Sequence, residues 1–245
     1  MGLSKLCYGT WQFESNFNKV SRSEAISLVA YAIELGIESF DTALVYGQGD
    51  VEKILSEFDM GKKNVITKIP AKRKPFLQEK GHIRDFYDEA WIEECLTKSI
   101  QNLKCNPKTV LLHNWSDNWR EVACILQYLG ELKKQGVCQK IGLSLPNSYN
   151  GVLNSEILSL IDILETPYNV DDVWIENNYR YLESNGIEVI IRSLFKQGNF
   201  LLDKEDKEKI VKEAFTQASL ISSYIAVGMT SKEQIERNVE IFKCI

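Results

Sequence analysis

The stretch Phe40-Asp41-Thr42-Ala43-Leu44-Val45-Tyr46-Gly47 decides how the chain is read. Gly36 and Ile37-Glu38-Ser39 lead into it, so an apolar run climbs into a carboxylate and a tyrosine stands beside a glycine a few positions later. A buried strand that ends in Asp, then a short loop presenting Tyr, is how a parallel barrel places polar groups at its working face. The same two residues also suit a helix cap and a packed loop. The rest of the chain decides between the two.

Outward from that stretch the chain alternates. Leu6-Cys7-Tyr8-Gly9-Thr10-Trp11 reads as a short strand, and residues 21–35 carry Ala25, Ile26, Leu28, Val29, Ala32 and Ile33 at helical spacing. Ser21 and Glu24 form a capping-box pattern at the start of that helix, and Gly36 ends it. Further strands are expected at 37–40, 64–68, 110–113, 140–144, 160–164, 187–191 and 224–227. Helices are expected at 51–58, 89–103, 119–135, 151–158, 172–183, 204–219 and 232–242, with a basic loop from Pro70 to about Asp88.

Strict strand–helix alternation favours a parallel sheet covered by helices. Eight such units in 245 residues point to a single α/β domain over 1–245, a (β/α)8 TIM barrel with short loops and no extended C-terminal tail. A doubly wound open sheet is the competing fold, but no G-x-G-x-x-G comes after the first strand.

Composition narrows the function classes. A net charge of −5 argues against nucleic acid as a partner, and no apolar run is long enough to span a bilayer. Six scattered cysteines without a C-x-x-C pair suggest reduced thiols and a cytoplasmic protein. With only His82 and His113 present, no metal site is expected. A small-molecule substrate is the expected partner, and a monomer or weak homo-oligomer the expected state.

The ends of the expected strands are the informative positions, because barrel active sites are built there. They carry Trp11, Asp41, Lys68, His113, Ser144, Glu165, Arg192 and the run Gly228-Met229-Thr230-Ser231. Such a set suits proton delivery to a carbonyl. A tyrosine, with a reference pKa of about 10, needs its phenolate stabilised, and a lysine held by an aspartate can do that. A histidine opposite can hydrogen-bond the carbonyl oxygen.

These residues resemble the aldo-keto reductase superfamily. The likeness runs through GTWQF (9–13), FDTALVYG (40–47), VITKIP (65–70), LLHNW (111–115), IGLSLPN (141–147), TPYN (166–169), IIRSLFKQG (190–198) and VGMTSKEQIERN (227–238). It implies a barrel that binds NADPH, with NADH as an alternative, and reduces an aldehyde or ketone. A narrower likeness, to a bacterial branch in sugar and polysaccharide biosynthesis, implies a sugar or nucleotide-sugar substrate.

Carried over residue by residue, the resemblance makes Tyr46 the proton donor, tuned by Lys68 and Asp41, with His113 orienting the substrate. Thr10, Trp11 and Asp41 fall among the cofactor contacts. Ser144 and Glu165 fall at the nicotinamide amide, and Arg192 takes the place of a stacking aromatic. Ser193, Phe195, Gln197 and Gly198 lie along the pyrophosphate. Gly228, Thr230, Ser231, Gln234 and Asn238 lie at the adenosine end, with Lys232 as a further cation beside the 2′-phosphate.

Glu165 departs from the family's usual Gln, and Gly228 and Gln234 replace its usual Lys and Arg. An open substrate site lined by Trp11, Asn114 and Trp115 is expected. Lys72-Arg73-Lys74 are candidates for a substrate phosphate. A cofactor-binding barrel with a sensing role and little turnover is the alternative function, and the complete Asp41, Tyr46, Lys68, His113 set argues against it.

Overall fold

The computed structural model describes residues 2–14, 20–196, 198 and 206–244. Eight parallel strands close on themselves: β1 (Leu6–Gly9), β2 (Ser39–Asp41), β3 (Asn64–Ile69), β4 (Thr109–His113), β5 (Lys140–Ser144), β6 (Ile163–Pro167), β7 (Glu188–Arg192) and β8 (Tyr224–Gly228). Each strand pairs with its neighbours in sequence, and β8 returns to β1. The closed barrel excludes the open-sheet alternative. Helices α1 (Arg22–Glu34), α2 (Asp50–Leu55), α3 (Glu89–Leu103), α4 (Val122–Lys134), α5 (Ser155–Leu158), α6 (Trp174–Ser184), α7 (Lys207–Leu220) and α8 (Lys232–Cys244) come after the strands in turn.

Local chemistry explains the boundaries. The Ser21 side chain accepts from Glu24 N–H, and the Glu24 carboxylate accepts from Ser21 N–H at 2.8 Å, so the capping box exists. Gly36, with φ of +91°, ends that helical unit in a conformation that costs other residues strain. Asp88 caps α3 by accepting from Trp91 N–H at 2.8 Å.

Strand periodicity sets the two cores. Along each strand, successive side chains point to opposite faces. Leu6, Tyr8, Val65, Ile69, Val110, Leu112, Leu143 and Leu164 join the large cluster between barrel and helices. Cys7, Ile66, Leu111, Ile163, Ile190 and Ala226 form a second, smaller cluster inside the barrel. Two positions further along each of these strands stand Gly9, Lys68, His113, Glu165, Arg192 and Gly228. The site is therefore the next interior layer towards the C-terminal mouth. β5 contributes Ser144 to that layer and Gly142 below it. A Cβ on Gly142 would sit 1.8 Å from the Ile163 carbonyl oxygen, so the close approach of β5 to β6 requires glycine there.

Several elements differ from what the sequence leads one to expect: the helices expected at 51–58 and 151–158 shorten to Asp50–Leu55 and Ser155–Leu158, and two others shift more. The helix expected at 119–135 begins at Val122, because Glu121 adopts φ of +59° and breaks the helical path. Trp119–Arg120 instead pair as a short strand with Gly81–His82, while the Trp119 ring stacks on Phe86 with centroids 4.4 Å apart. The strand expected at 160–164 is displaced to Ile163–Pro167. Leu160 and Ile161 N–H groups bond back to Ile157 and Leu158, so the turn after α5 consumes the first half of the apolar run. Glu165 consequently lies within the strand rather than beyond it. The first two residues of the helix expected at 204–219 lie outside the described residues.

Candidate active site

At the mouth of the barrel, β2 and β3 bring a carboxylate and an ammonium together. Lys68 is almost wholly buried, and its Nζ donates to Asp41 Oδ1 and, at 3.0 Å, to the Thr42 carbonyl. The same nitrogen lies 5.6 Å from the centroid of the Tyr46 ring and 3.3 Å from Glu165 Oε1 on β6. Tyr46 leaves the β2 loop just before Gly47 and Gln48, both at φ of +56°, a left-handed pair that turns the chain into α2. The His113 ring, at the end of β4, meets the Tyr46 ring edge-on with centroids 6.4 Å apart. Tyr87 holds the His113 backbone by donating its hydroxyl to that carbonyl. The four residues expected to do the chemistry are thus brought together.

Burial and mutual charge set their protonation. Burial lifts the Tyr46 phenol to about 12, against the pull of the Lys68 ammonium, so the hydroxyl keeps its proton at neutral pH. Burial opposes the charge on Lys68, yet the Asp41 and Glu165 carboxylates raise its pKa above the ordinary lysine range. Burial and then the Glu165 charge push Asp41 up to about 7. Burial also disfavours ionised Glu165, but Lys68 and Arg192 outweigh it and hold that carboxyl below its ordinary value. Burial, with the Lys68 charge second, lowers His113 to about 3, so its imidazole is neutral and can donate one N–H to an oxygen.

Above this floor opens a cavity of about 880 Å³. Tyr46, His113, Asn114, Trp115 and Trp11 line it. Pro75, Phe76 and Leu77 line it as well, with Phe76 78% exposed. The basic run divides. Lys72 pairs with Asp88, and Arg73 makes a two-pronged pair with Glu79 at 2.6 and 3.0 Å while lying over the Phe86 ring. Lys74 alone of the three lines the cavity, with no ion pair among the described residues.

Other expected cofactor residues behave differently from one another. Thr10 is buried, and its Oγ1 donates to the Asp41 carbonyl at 2.9 Å, so it fastens β1 to β2 rather than facing the cavity. Ser144 and Glu165 lie beneath the cavity lining at zero exposure. The Ser144 hydroxyl stands beside the Glu165 carboxylate out of hydrogen-bonding geometry, and Ser144 Oγ and both Glu165 oxygens lack a hydrogen-bond partner. Arg192 spans the mouth, donating to the Leu145 carbonyl at 2.6 Å, Asn147 Oδ1 at 2.8 Å and Ser193 Oγ at 3.0 Å. Ser193, Phe195 and Gly198 line the cavity, whereas Gln197 lies outside the described residues.

At the far end Gly228, Thr230, Gln234 and Asn238 line the cavity. Ser231 does not line it; its hydroxyl caps α8 by accepting from Gln234 N–H at 3.3 Å. Gln234 Oε1 accepts from Thr230 N–H at 2.7 Å, and Lys232 Nζ turns away to lie 4.9 Å from the Tyr31 ring centroid. The cation at this end is Arg237, which the sequence alone did not single out. It lines the cavity with a buried, unpartnered Nε and makes no ion pair among the described residues, next to the equally unpartnered Oδ1 of Asn238. Its signal was helical spacing: Gln234, Arg237 and Asn238 fall at i, i+3 and i+4 on one face of α8.

Comparison with known proteins agrees with this fold. The chain is 24% identical to L-galactose dehydrogenase of Arabidopsis thaliana over 97% of its length and 83% of the plant protein. It is 28% identical to an aldo-keto reductase of Gibberella moniliformis, over 62% of this chain and 46% of the fungal one. Among solved structures, the holo form of an aldo-keto reductase from Bacillus halodurans superposes with a TM-score of 0.74 at 19% identity, covering 97% of this chain and 86% of that one. An aldo/keto reductase from Klebsiella pneumoniae in complex with NADP and acetate superposes at 0.70 and 16%, covering 97% and 85%. The profile of the Aldo/keto reductase family matches residues 5–224. With that match and this closed barrel, the chain belongs to the aldo/keto reductase family of NAD(P)H-dependent oxidoreductases.

Proposed function

We propose that this protein reduces an aldehyde or ketone to an alcohol with Tyr46 as proton donor. One observation carries the reading: a buried ammonium, Lys68, joins Asp41 to the Tyr46 ring, and a neutral His113 faces that ring. The carbonyl oxygen would lie between Tyr46 Oη and the His113 ring N–H. As a hydride reaches the carbonyl carbon, the C=O π pair moves to oxygen, and that oxygen takes the proton from Tyr46 Oη. The phenolate left behind forms next to Lys68, whose charge offsets it, and is reprotonated from solvent.

The residues present fit an extended nicotinamide dinucleotide, whose reduced ring would supply the hydride. Ser144 Oγ and the Glu165 oxygens are buried polar atoms without hydrogen-bond partners at one end, Lys68 being only an ion-pair neighbour of Glu165, and Arg237 Nε and Asn238 Oδ1 are two more at the other. Ser144 and Glu165 would hold an amide, and Ser193, Phe195 and Gly198 would track a pyrophosphate. Arg237 would meet a 2′-phosphate, which supports NADPH over NADH.

A sugar or nucleotide-sugar carbonyl is the substrate class we favour. The likeness to a plant L-galactose dehydrogenase supports it, as does Lys74, a cation on the substrate side of the cavity with no ion pair among the described residues. Six free thiols support a reducing, cytoplasmic setting. The test is purified protein with NADPH and a panel of sugar and simple carbonyls, comparing wild type with Tyr46→Phe. Turnover should fall by roughly 10²–10⁴-fold, while cofactor binding, tracked by fluorescence, survives. Full activity in Tyr46→Phe would sink the mechanism.

A further inference from the structure

The buried floor holds more negative charge than one lysine needs. Asp41 and Glu165 both reach Lys68 Nζ, the second at 3.3 Å from Oε1, and Glu165 is entirely buried. Lys68 is on β3 and Glu165 on β6, two strands that are not neighbours in the barrel, so their side chains meet across its interior. The nearest alternative cation, Arg192, directs its hydrogen bonds to Leu145, Asn147 and Ser193. An isolated carboxylate at this depth would be strongly disfavoured. Lys68, with the Arg192 charge second, is therefore what keeps Glu165 ionised, and Glu165 in turn claims part of the ammonium that also serves Tyr46.

We infer that Glu165 is a second counter-ion of Lys68 and a positioning residue for Tyr46, drawing the ammonium's charge away from the phenol so that Tyr46 stays a protonated acid to higher pH. This rests on the carbonyl-reductase reading of the same site. Every charged or titratable group facing the cluster bears on it: Asp41 from β2, Tyr46 from the loop after it, His113 from β4, Arg192 from β7, and the Cys7 thiol from β1 one layer below. Among them Asp41 and Glu165 raise the Tyr46 pKa, and Lys68 and Arg192 lower it. The two carboxylates compete for one ammonium. Asp41 holds it through a hydrogen bond and Glu165 through an ion pair at 3.3 Å, so the two carboxyls titrate as a linked set with Lys68.

The experiment is carbon NMR of protein labelled at the tyrosine ring carbon that bears oxygen, with the Tyr46 signal assigned from Tyr46→Phe and titrated without cofactor. In Glu165→Gln the Tyr46 midpoint should fall by about one pH unit, and the alkaline limb of kcat/KM should fall with it. Glu165→Asp, which keeps the charge, should restore most of the shift. An unchanged midpoint alongside lost turnover would overturn the inference and leave Glu165 a residue of the cofactor site alone.

Should Glu165→Gln fail to fold, Asp41→Asn decides. With Glu165 as the remaining counter-ion, Asp41→Asn should fold with little loss of Tm and a lowered Tyr46 midpoint. Unfolding or an unmoved midpoint in Asp41→Asn would overturn it. Failure of the underlying reading looks different: wild type would neither bind NADPH nor turn over any carbonyl, whatever the phenol titration shows.

Discussion

The two ends of one cavity are built on different principles. The reaction floor consists of strand residues in a single interior layer: the charged Asp41, Lys68 and Glu165 and the hydroxyl of Ser144, all buried, with the neutral, half-buried His113 beside them. The adenosine end consists of a strand exit and the first turns of α8, where Arg237 and Asn238 keep unpartnered atoms beside a capped helix. In the floor the charged groups offset one another before any ligand arrives. At the far end they wait for one. Removing the floor's one shared cation should therefore damage stability and chemistry together, whereas changes at the far end should alter affinity alone.

The largest expected effect breaks the floor. Lys68→Met leaves two buried carboxylates without their cation, at a cost of about 3–5 kcal/mol, and turnover should fall by at least 10²-fold, roughly the lower bound for losing the acid step. Urea unfolding checks the stability, and its pH dependence checks the cause. In Lys68→Met the folded-state carboxyl pKa values lie above their unfolded values, so the stability of the variant is greatest in acid and is lost as pH rises through those raised values.

Arg237→Gln sharpens the contrast. Affinity for NADP⁺ should drop by roughly 10–100-fold, the worth of a charge-assisted contact, with NAD⁺ affinity and Tm nearly unchanged. Isothermal titration with both nucleotides reads this directly. Equal loss for both would show that Arg237 supports the adenosine end in general and not its phosphate.

A smaller effect concerns His113. Its folded pKa is depressed to about 3, so the stability it contributes is fully present above its ordinary value and is lost as pH falls from there towards 3. A ring-proton NMR titration should show His113 unchanged between pH 8 and 5, a window chosen to span roughly the ordinary histidine range. A midpoint near that ordinary value would show that the floor is wetter than its burial suggests.

The smallest effect is at the rim. Lys74→Gln should raise KM several-fold for carbonyls bearing a phosphate or carboxylate and leave neutral ones unaltered, while Lys72→Gln and Arg73→Gln change neither. A uniform KM for charged and neutral substrates would remove Lys74 from the site.

Legibility in the sequence ran along the same division. Alternation with period two along short apolar runs is local, and it carried Asp41, Lys68, His113 and Arg192 to the mouth correctly. It failed at 160–164, where Leu160 and Ile161 belong to the turn after α5 and the strand begins only beyond Asp162, at Ile163–Pro167. It failed again at 119–135, where Trp119 went to an aromatic cluster with Phe86, Tyr87 and Trp115 instead of a helix. Arg237 was missed because a cation on a helix face reads as solvated until its surroundings show that no acid meets it.

What the sequence determined by itself is the order of units, their number, and which side chains each strand offers to the mouth, because those depend on periodicity and on short capping and turn signals. Tertiary structure decided which of those side chains share a partner. Asp41 and Lys68 sit on adjacent strands, but Glu165 reaches Lys68 only when the barrel closes and brings β3 and β6 across its interior. Likewise Lys72 and Arg73 are claimed by Asp88 and Glu79, leaving Lys74 to the cavity. Charge on a residue type is a property of the sequence, whereas the neutralisation of that charge depends on distances that exist only once the chain has folded.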